Sequence, residues 1–462
     1  MPSSTSPLRV GCASGFSGDR TDGAAPIVAE LIRLGGGTLI FETLAERTLA
    51  LAQLTRKDEP SGGYEPLLDD LVGPILADCL AHRIAIVSNF GAANPAGAAR
   101  RIVELAQAQG LRIPRIAVIT GDALTTPEQM AHVQAALDVD LSCAEVVSAT
   151  VYLGATEIAQ ALRAGADIVV AGRVADPSLT VGPALAHFNW SLDDWVRLGR
   201  ATMAGHMLEC GTQVTGGYYA IPGLKDVPGL HNTGFPILTM DADGQFEISK
   251  PPDTGGLIDT AIATEQLLYE VHDPAAYLTP DVVADISQAE IVQVGPDRVA
   301  VRNVTGHARP DTLKVNICLR GGWLAEAEIS YAGFQAEARA RLAGDIVRER
   351  IGQAMALRID LIGALSILAD DAGALQASRK ETSRQPSDAA ATLQDVRLRV
   401  CGSHANRKVA ERVLREVTAL YCCGPAGGGG VRTSLKQRLN MLSAYVARDV
   451  VNSGWYFLED TP

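Results

Sequence analysis

Short apolar runs alternate with helix-patterned stretches through the first 180 residues, and this rhythm constrains the fold more than any other feature. LRVGCAS (8–14), TLIFE (38–42), IAIVS (84–88), IAVIT (116–120) and ADIVVA (166–171) read as strands, with 145–150 a further candidate. Apolar residues recur at helical spacing over 23–33, up to Ala50, and over 68–81, 96–109 and 156–164. Short apolar strands separated by helices imply right-handed βαβ units. The expected class is α/β, with a mostly parallel, doubly wound sheet over residues 1–220. The charged, Gly- and Ser-containing stretch 56–65 reads as a mobile surface loop.

The pattern changes after residue 220. Residues 225–236 are rich in Pro and Gly, and 237–248 read as a hairpin turning at Asp243-Gly244. A helix over 259–269, alternating strands near 290–294, 298–304 and 312–319, and a long charged helix over 336–353 complete a second, α+β region (221–355). Residues 356–462 read as a small C-terminal α+β unit, with strands at 361–368 and 395–401, a polar run at 380–390 and an amphipathic helix at 408–420.

In a parallel sheet the ligand crevice lies outside the carboxyl ends of the strands. Ser14, Gly15 and Asp19 follow the first strand and Glu42 ends the second; Asn89, Asn94, Asp122, Arg173 and Asp176 follow later ones. Turns of this kind are rich in Gly and Asp because they must bend and cap, which accounts for any one of these residues alone. Asn89, Asn94 and Arg173 are not required by turn geometry. The central stretch GHMLECGTQVTGGYY (205–219) is the other candidate. If it begins as a helix, His206, Glu209 and Cys210 share one face, with Gln213 just beyond. Read structurally, the same stretch is a helix end with a core cysteine and turning glycines.

Several chemistries lack their signatures. Gly11, Gly15 and Gly18 are not spaced as a dinucleotide fingerprint, and no P-loop, nucleophile elbow or HExxH pair occurs. No metal site and no separate cofactor are expected. A net charge of −13 argues against nucleic acid, and no apolar run is long enough to span a bilayer. The N-terminus lacks the pattern of a signal peptide, and eight cysteines without a CxxC pair suit reduced thiols. A cytoplasmic location is the resulting expectation, and the apolar, Pro- and Gly-rich middle region, being neither a membrane span nor a linker, predicts a homo-oligomer.

Many blocks of the chain, in order, resemble the acyclic terpene utilization AtuA family. They are RVGCASGFSGD (9–19), the central GHMLECGTQVTGGYY, KDVPGL (225–230), EQLLYEVHDPAAYLTPDVVAD (265–285), RPDTLKVNI (309–317) and GGW with EISYAG (321–333). The resemblance implies a role in breakdown of branched or terpenoid acids as coenzyme A thioesters. It also favours reading the Gly-rich loop before Arg432 as an anion nest rather than a hinge.

What remains is general acid–base chemistry. Asp19, Glu42, Asp122, Asp176, His206, Glu209 and Glu265 supply acids and bases, while Arg173, Lys225, Lys250 and Arg432 supply cations for a carboxylate or phosphate. The expected site is one cavity lined by Asn89, Asp122, Arg173, His206, Glu209 and Gln213, with Ser14 to Asp19 on its rim. Arg173 would hold an anionic end while His206 or Glu209 moves the proton. The expected activity is a cofactor-independent lyase (hydration, dehydration or carbon–carbon cleavage) on a branched acyl-CoA thioester or related organic acid. The alternative is a non-catalytic scaffold subunit of a CoA-dependent system.

Overall fold

The computed structural model describes residues 6–142, 144–364 and 395–458. The first elements follow the expected rhythm: β1 (Leu8–Cys12), α1 (Ala24–Arg33), β2 (Thr38–Phe41), α2 (Glu46–Asp58), α3 (Leu68–Val72), α4 (Leu76–His82), β3 (Ala85–Ser88), α5 (Pro95–Ala108), β4 (Ile116–Thr120), α6 (Pro127–Ala135), β5 (Val146–Val151), α7 (Thr156–Arg163), β6 (Ile168–Val170), α8 (Ser178–Phe188) and α9 (Trp195–Glu209). Two details differ. The helix expected over 68–81 is broken into α3 and α4 around Gly73 and Pro74, because proline cannot donate to a helix and crowds the turn before it. The stretch 56–65 is no free loop. Helix α2 runs into it, and the Asn94 amide donates to the carbonyls of Pro60, Ser61 and Gly62.

Strands β1, β2, β3, β6 and β4 lie side by side in that order, every neighbouring pair parallel. A core of Ile27, Leu31, Leu71, Leu76 and Ile102 from α1, α3, α4 and α5 gathers around Leu39, Phe41, Ile86 and Val170. Helices α7, α8 and α9 pack successively on one another, touching β4 and β6, then β1 and β2, then β1. Burial on these strands is nearly continuous, as expected of parallel strands covered by helices.

The sheet as a whole is mixed rather than mostly parallel. The region after residue 220 supplies β7 (Ile237–Met240), β8 (Phe246–Ser249), α10 (Thr260–Leu268), β9 (Tyr277–Leu278), β10 (Val283–Asp285), β11 (Glu290–Gly295), β12 (Arg298–Arg302), β13 (Thr305–His307) and β14 (Thr312–Ala332). Four of these strands extend the sheet beyond β1, all antiparallel, in the order β7, β8, β12, β11. The hairpin at Asp243-Gly244 is present, with Gly244 at φ 80° as the turn requires. Strands β9, β10 and β13 make a small separate sheet.

Strand β5 does not join its neighbours in sequence. It pairs with β14 instead, and the Tyr152 amide donates to the Lys314 carbonyl at 2.9 Å just beyond its end. That departure sets one wall of the site described below.

The chain divides into two compact units at boundaries other than 220 and 355: residues 1–318 with 441–462, and residues 319–440. The physical reason is pairing. Strands β7, β8, β12 and β11 complete the first sheet, and the C-terminal β18 (Gly454–Phe457), which follows β17 (Gly429–Ala447), returns to lie antiparallel on β4. The second unit holds α11 (Ala336–Ile351), β15 (Leu357–Ile362), β16 (Asp395–His404) and a helix, Arg407–Cys423. Among its described residues, with the ends of β14 and β17, it reads βαββαβ, strand order β15-β16-β14-β17, a split βαβ arrangement with ferredoxin-like topology. Helix α11 and the helix Arg407–Cys423 pack on each other and on β16 around Ala340, Val347, Leu398, Val400, Val413 and Val417. Residues 365–368 of the expected strand and the run 380–390 fall outside the described residues. Among the described residues Cys12, Cys79, Cys210, Cys401, Cys422 and Cys423 are free thiols, and no helix is long and apolar enough to cross a membrane.

Candidate functional site

The carboxyl ends of β1, β2 and β6 open onto a cleft of about 570 Å³, closed from above by the end of α9 and the turn after it. The turn after β1 can approach that helix end because Gly15 has no side chain. A Cβ there would lie 2.5 Å from the Cys210 carbonyl carbon. Asp19 fixes the turn by accepting from the Gly15 amide at 2.9 Å.

Six carboxylates line the cleft: Asp19, Glu42, Glu46, Asp176, Glu209 and Glu270. Four of them, Glu42, Glu46, Asp176 and Glu209, hold protons differently because their surroundings differ. Glu42 is buried, and its Oε1 accepts from the Leu44 amide and the Asn89 Nδ2, both at 2.8 Å. Burial, reinforced by the nearby Asp176 charge, pushes its pKa up to about 8. Glu46 goes the other way. Partial burial would raise it, but the Tyr152 hydroxyl donating at 2.5 Å, together with the Lys314 and Arg173 charges, brings it down to about 2. Lys314 Nζ lies 3.3 Å from Glu46 Oε1. Burial raises Asp176 as well, although the Arg173 charge opposes it.

Glu209 stands on the last turn of α9, three residues beyond His206, so the two meet on one helix face. His206 Nδ1 lies 3.0 Å from Glu209 Oε1, and Nε2 lies 3.0 Å from the Gln266 carbonyl oxygen. A carbonyl only accepts, so Nε2 must carry a proton. The Nδ1–Oε1 contact then holds one further proton, on whichever partner. Burial opposes the imidazolium, and the Glu209 carboxylate outweighs it, so His206 titrates above its ordinary value. Burial pushes Glu209 up to about 7. The buried pair thus holds protons more tightly than its members would in water. Glu209 Oε2 is buried without a hydrogen-bond partner, on a side chain that lines the cleft.

The family model for acyclic terpene utilisation family protein AtuA matches residues 8–457. The chain belongs to the AtuA family. Comparison with curated proteins and with solved structures gave no match.

In this AtuA-family protein the residues singled out in the sequence fall into three groups. Asp19, Glu42, Arg173, Asp176, Glu209 and Gln213 line the cleft. A second group stands behind it. Asn89 is fully buried and orients Glu42, its Oδ1 accepting from the Thr43 amide at 2.9 Å. Asp122 is half-buried and accepts from the Arg173 amide at 2.8 Å, bracing that turn. His206 is 1% exposed and reaches the cleft only through Glu209. Ser14 is buried and ties its own turn by donating to the Phe16 carbonyl at 3.0 Å.

The third group lies elsewhere. Asn94 caps α5, accepting from the Gly97 amide at 3.0 Å. Lys225 is paired with Glu265 on the surface and sits 4.4 Å from the Tyr219 ring centre. Lys250 pairs with Asp297 at 3.1 Å. Arg432 is exposed on β17 in the second unit, where the glycine run leads into a strand.

Arg173 also differs from its expected role. Its guanidinium donates to the carbonyls of Leu44 and Val174 and to Asp176, and lies 4.5 Å from the centre of the Tyr152 ring. It organises the cleft wall more than it offers an anion clamp. The sequence reading missed Glu46, Tyr152, Tyr269, Glu270 and Lys314. Glu46 and Tyr152 each sit just past a strand, the signal used for the others. Lys314 enters only because β5 pairs with β14. Among the described residues no three His, Cys, Asp or Glu side chains are grouped so as to hold a metal ion.

Proposed function

We propose that this AtuA-family protein is a cofactor-independent lyase acting on a branched acyl-CoA thioester or a related organic acid, by hydration and dehydration or by carbon–carbon cleavage. The observation that carries the reading is Glu209: it titrates near neutrality, is backed by His206, and has an unpartnered Oε2 on a side chain lining the cleft. A base poised near the operating pH is what removal of a proton next to a carbonyl calls for. In a dehydration, Glu209 takes the proton from the carbon beside the thioester carbonyl. Glu42, protonated at neutral pH, gives a proton to the departing hydroxyl. The C–H and C–O bonds break, a C=C bond forms and water leaves.

Electrostatics limits what enters. Arg173 and Lys314, the cations of the lining, face Asp176 and Glu46, and the remaining wall is acidic. The acyl end therefore occupies the cleft while the phosphates of coenzyme A stay outside. Coenzyme A enters as part of the substrate. Purified protein incubated with 2-enoyl and 3-hydroxyacyl thioesters should change the conjugated enoyl absorbance, and Glu209→Gln should lower the rate by at least roughly a hundredfold. No turnover by the unsubstituted protein, or equal turnover by the variant, would sink the reading.

The second reading, a scaffold subunit, draws support from apolar side chains left in solvent, Tyr218 of the cleft lining at 93% and Leu224 at 76% exposure. Under either reading we propose a cytoplasmic homo-oligomer, a location that suits the free thiols.

A further inference from the structure

A second cavity, of about 250 Å³, adjoins the cleft, and the two share Tyr152, Asp176 and Lys314 in their walls. Away from those three residues its character changes. The rest of its wall carries no charge: Pro177, Leu278, Pro280, Pro310, Leu313 and Tyr445 make most of it. A chamber whose charged lining, Asp176 and Lys314, is shared with the cleft and whose remaining wall is uncharged suits an aliphatic group more than a polar one.

The chamber is also built rigidly. Arg448 donates to the Pro310 carbonyl at 2.7 Å and to the Pro280 carbonyl at 2.5 Å, joining two of its loops. The neighbouring Asp281 accepts from the Ala155 amide at 2.8 Å and from the Ser178 hydroxyl at 2.5 Å. Pro177 fixes a third wall at the start of α8. The dividing Tyr152 ring has Arg173 4.5 Å and Lys314 4.8 Å from its centre, and its hydroxyl is held by Glu46. A cavity whose walls are tied before any ligand arrives loses little entropy on filling.

We infer that this chamber is the hydrocarbon subsite of the cleft, taking the aliphatic tail of a ligand whose polar, reacting end lies on the other side of Tyr152 among the carboxylates. The inference rests on the acid–base reading of the cleft for the identity of the reacting end. The chamber's preference for hydrocarbon can be measured without it. Length and branching of the tail are then selected by the chamber, and the chemistry by the cleft.

Calorimetry with neutral n-alkanols of increasing length tests the chamber itself. Affinity should rise roughly threefold to fourfold per added methylene until the space is filled. Leu278→Trp and Thr312→Trp fill the chamber from two different strands at exposed positions, so at least one should fold normally by circular dichroism. Each folded variant should weaken the longest alkanol at least tenfold and leave the shortest unchanged. Alkanol binding independent of length, or folded tryptophan variants that bind like the unsubstituted protein, overturns the inference. A rising alkanol series in a protein that turns over no thioester supports the subsite and removes the lyase reading alone. Where thioesters do react, the same variants should raise KM for long acyl chains and leave short ones unaffected.

Discussion

Glu42 is the residue at which pH and structure are most directly linked. Its ordinary value is 4.5, and burial with the Asp176 charge brings it to about 8 in the folded chain. Between those values the folded state holds a proton that the unfolded state has released. Its contribution to stability is therefore complete below pH 4.5 and is lost as pH rises through 8. Glu42→Gln keeps an acceptor for the Leu44 amide and cannot ionise. Urea unfolding should find the variant as stable as the parent near pH 4 and more stable at pH 8.5, and equal stability at both would contradict the assignment. His206 is tested differently because it touches no ligand. In His206→Asn, Glu209 loses the bond and charge that hold its pKa down, so that value should climb further. The expected outcome is kcat lower by roughly a hundredfold, KM within about twofold, and the acidic limb of the rate profile moved to higher pH. A uniform loss with an unmoved profile would mean that His206 merely holds the fold.

At the scale of elements, the cleft depends on the β1–α1 turn lying against the end of α9. Gly15→Ala would place a methyl 2.5 Å from the Cys210 carbonyl carbon, and relief requires one backbone to move. Overpacking of this kind costs about 1–3 kcal/mol. Denaturant unfolding should show that loss, accompanied by weaker ligand binding; an unchanged midpoint would mean that the turn is looser than it stands. The glycine was visible in sequence, but its partner was not, since nearly 200 residues separate them. The same distinction runs through the fold. Strands such as Ile116–Thr120 and helices such as Ala24–Arg33 were legible because periodicity is local. The choice of β14 as partner for β5 was not, because pairing across 160 residues leaves no local trace. Lys314 and the far wall of the cleft were lost with it. His206 and Glu209 were legible as a pair through their helical spacing, whereas burial decided that only Glu209 would face the cleft.

At the scale of the whole molecule, the chain leaves its first unit after residue 318 and returns at 441. Composition changed near 220 and suggested a boundary there, yet β7, β8, β11 and β12 were needed to complete the first sheet. A shift in Pro and Gly content marks a change of connection, not the edge of a core. That same connection, residues 216–236, carries the prediction about assembly. It leaves Tyr218, Ile221, Leu224 and Leu230 substantially exposed, close together in sequence, on a chain whose net charge is −13. Scattered exposed apolar side chains are ordinary, whereas a concentrated set marks a contact surface. The acidic surface opposes random aggregation, so burial of this set requires a specific mate, and a second copy supplies the same apolar set by symmetry. Sedimentation should therefore find a mass above that of the monomer. Ile221→Ser with Leu224→Ser, two positions outside the cleft, should shift the chain towards monomer with its thermal unfolding little changed. Monomer mass across a hundredfold range of concentration would rule the assembly out.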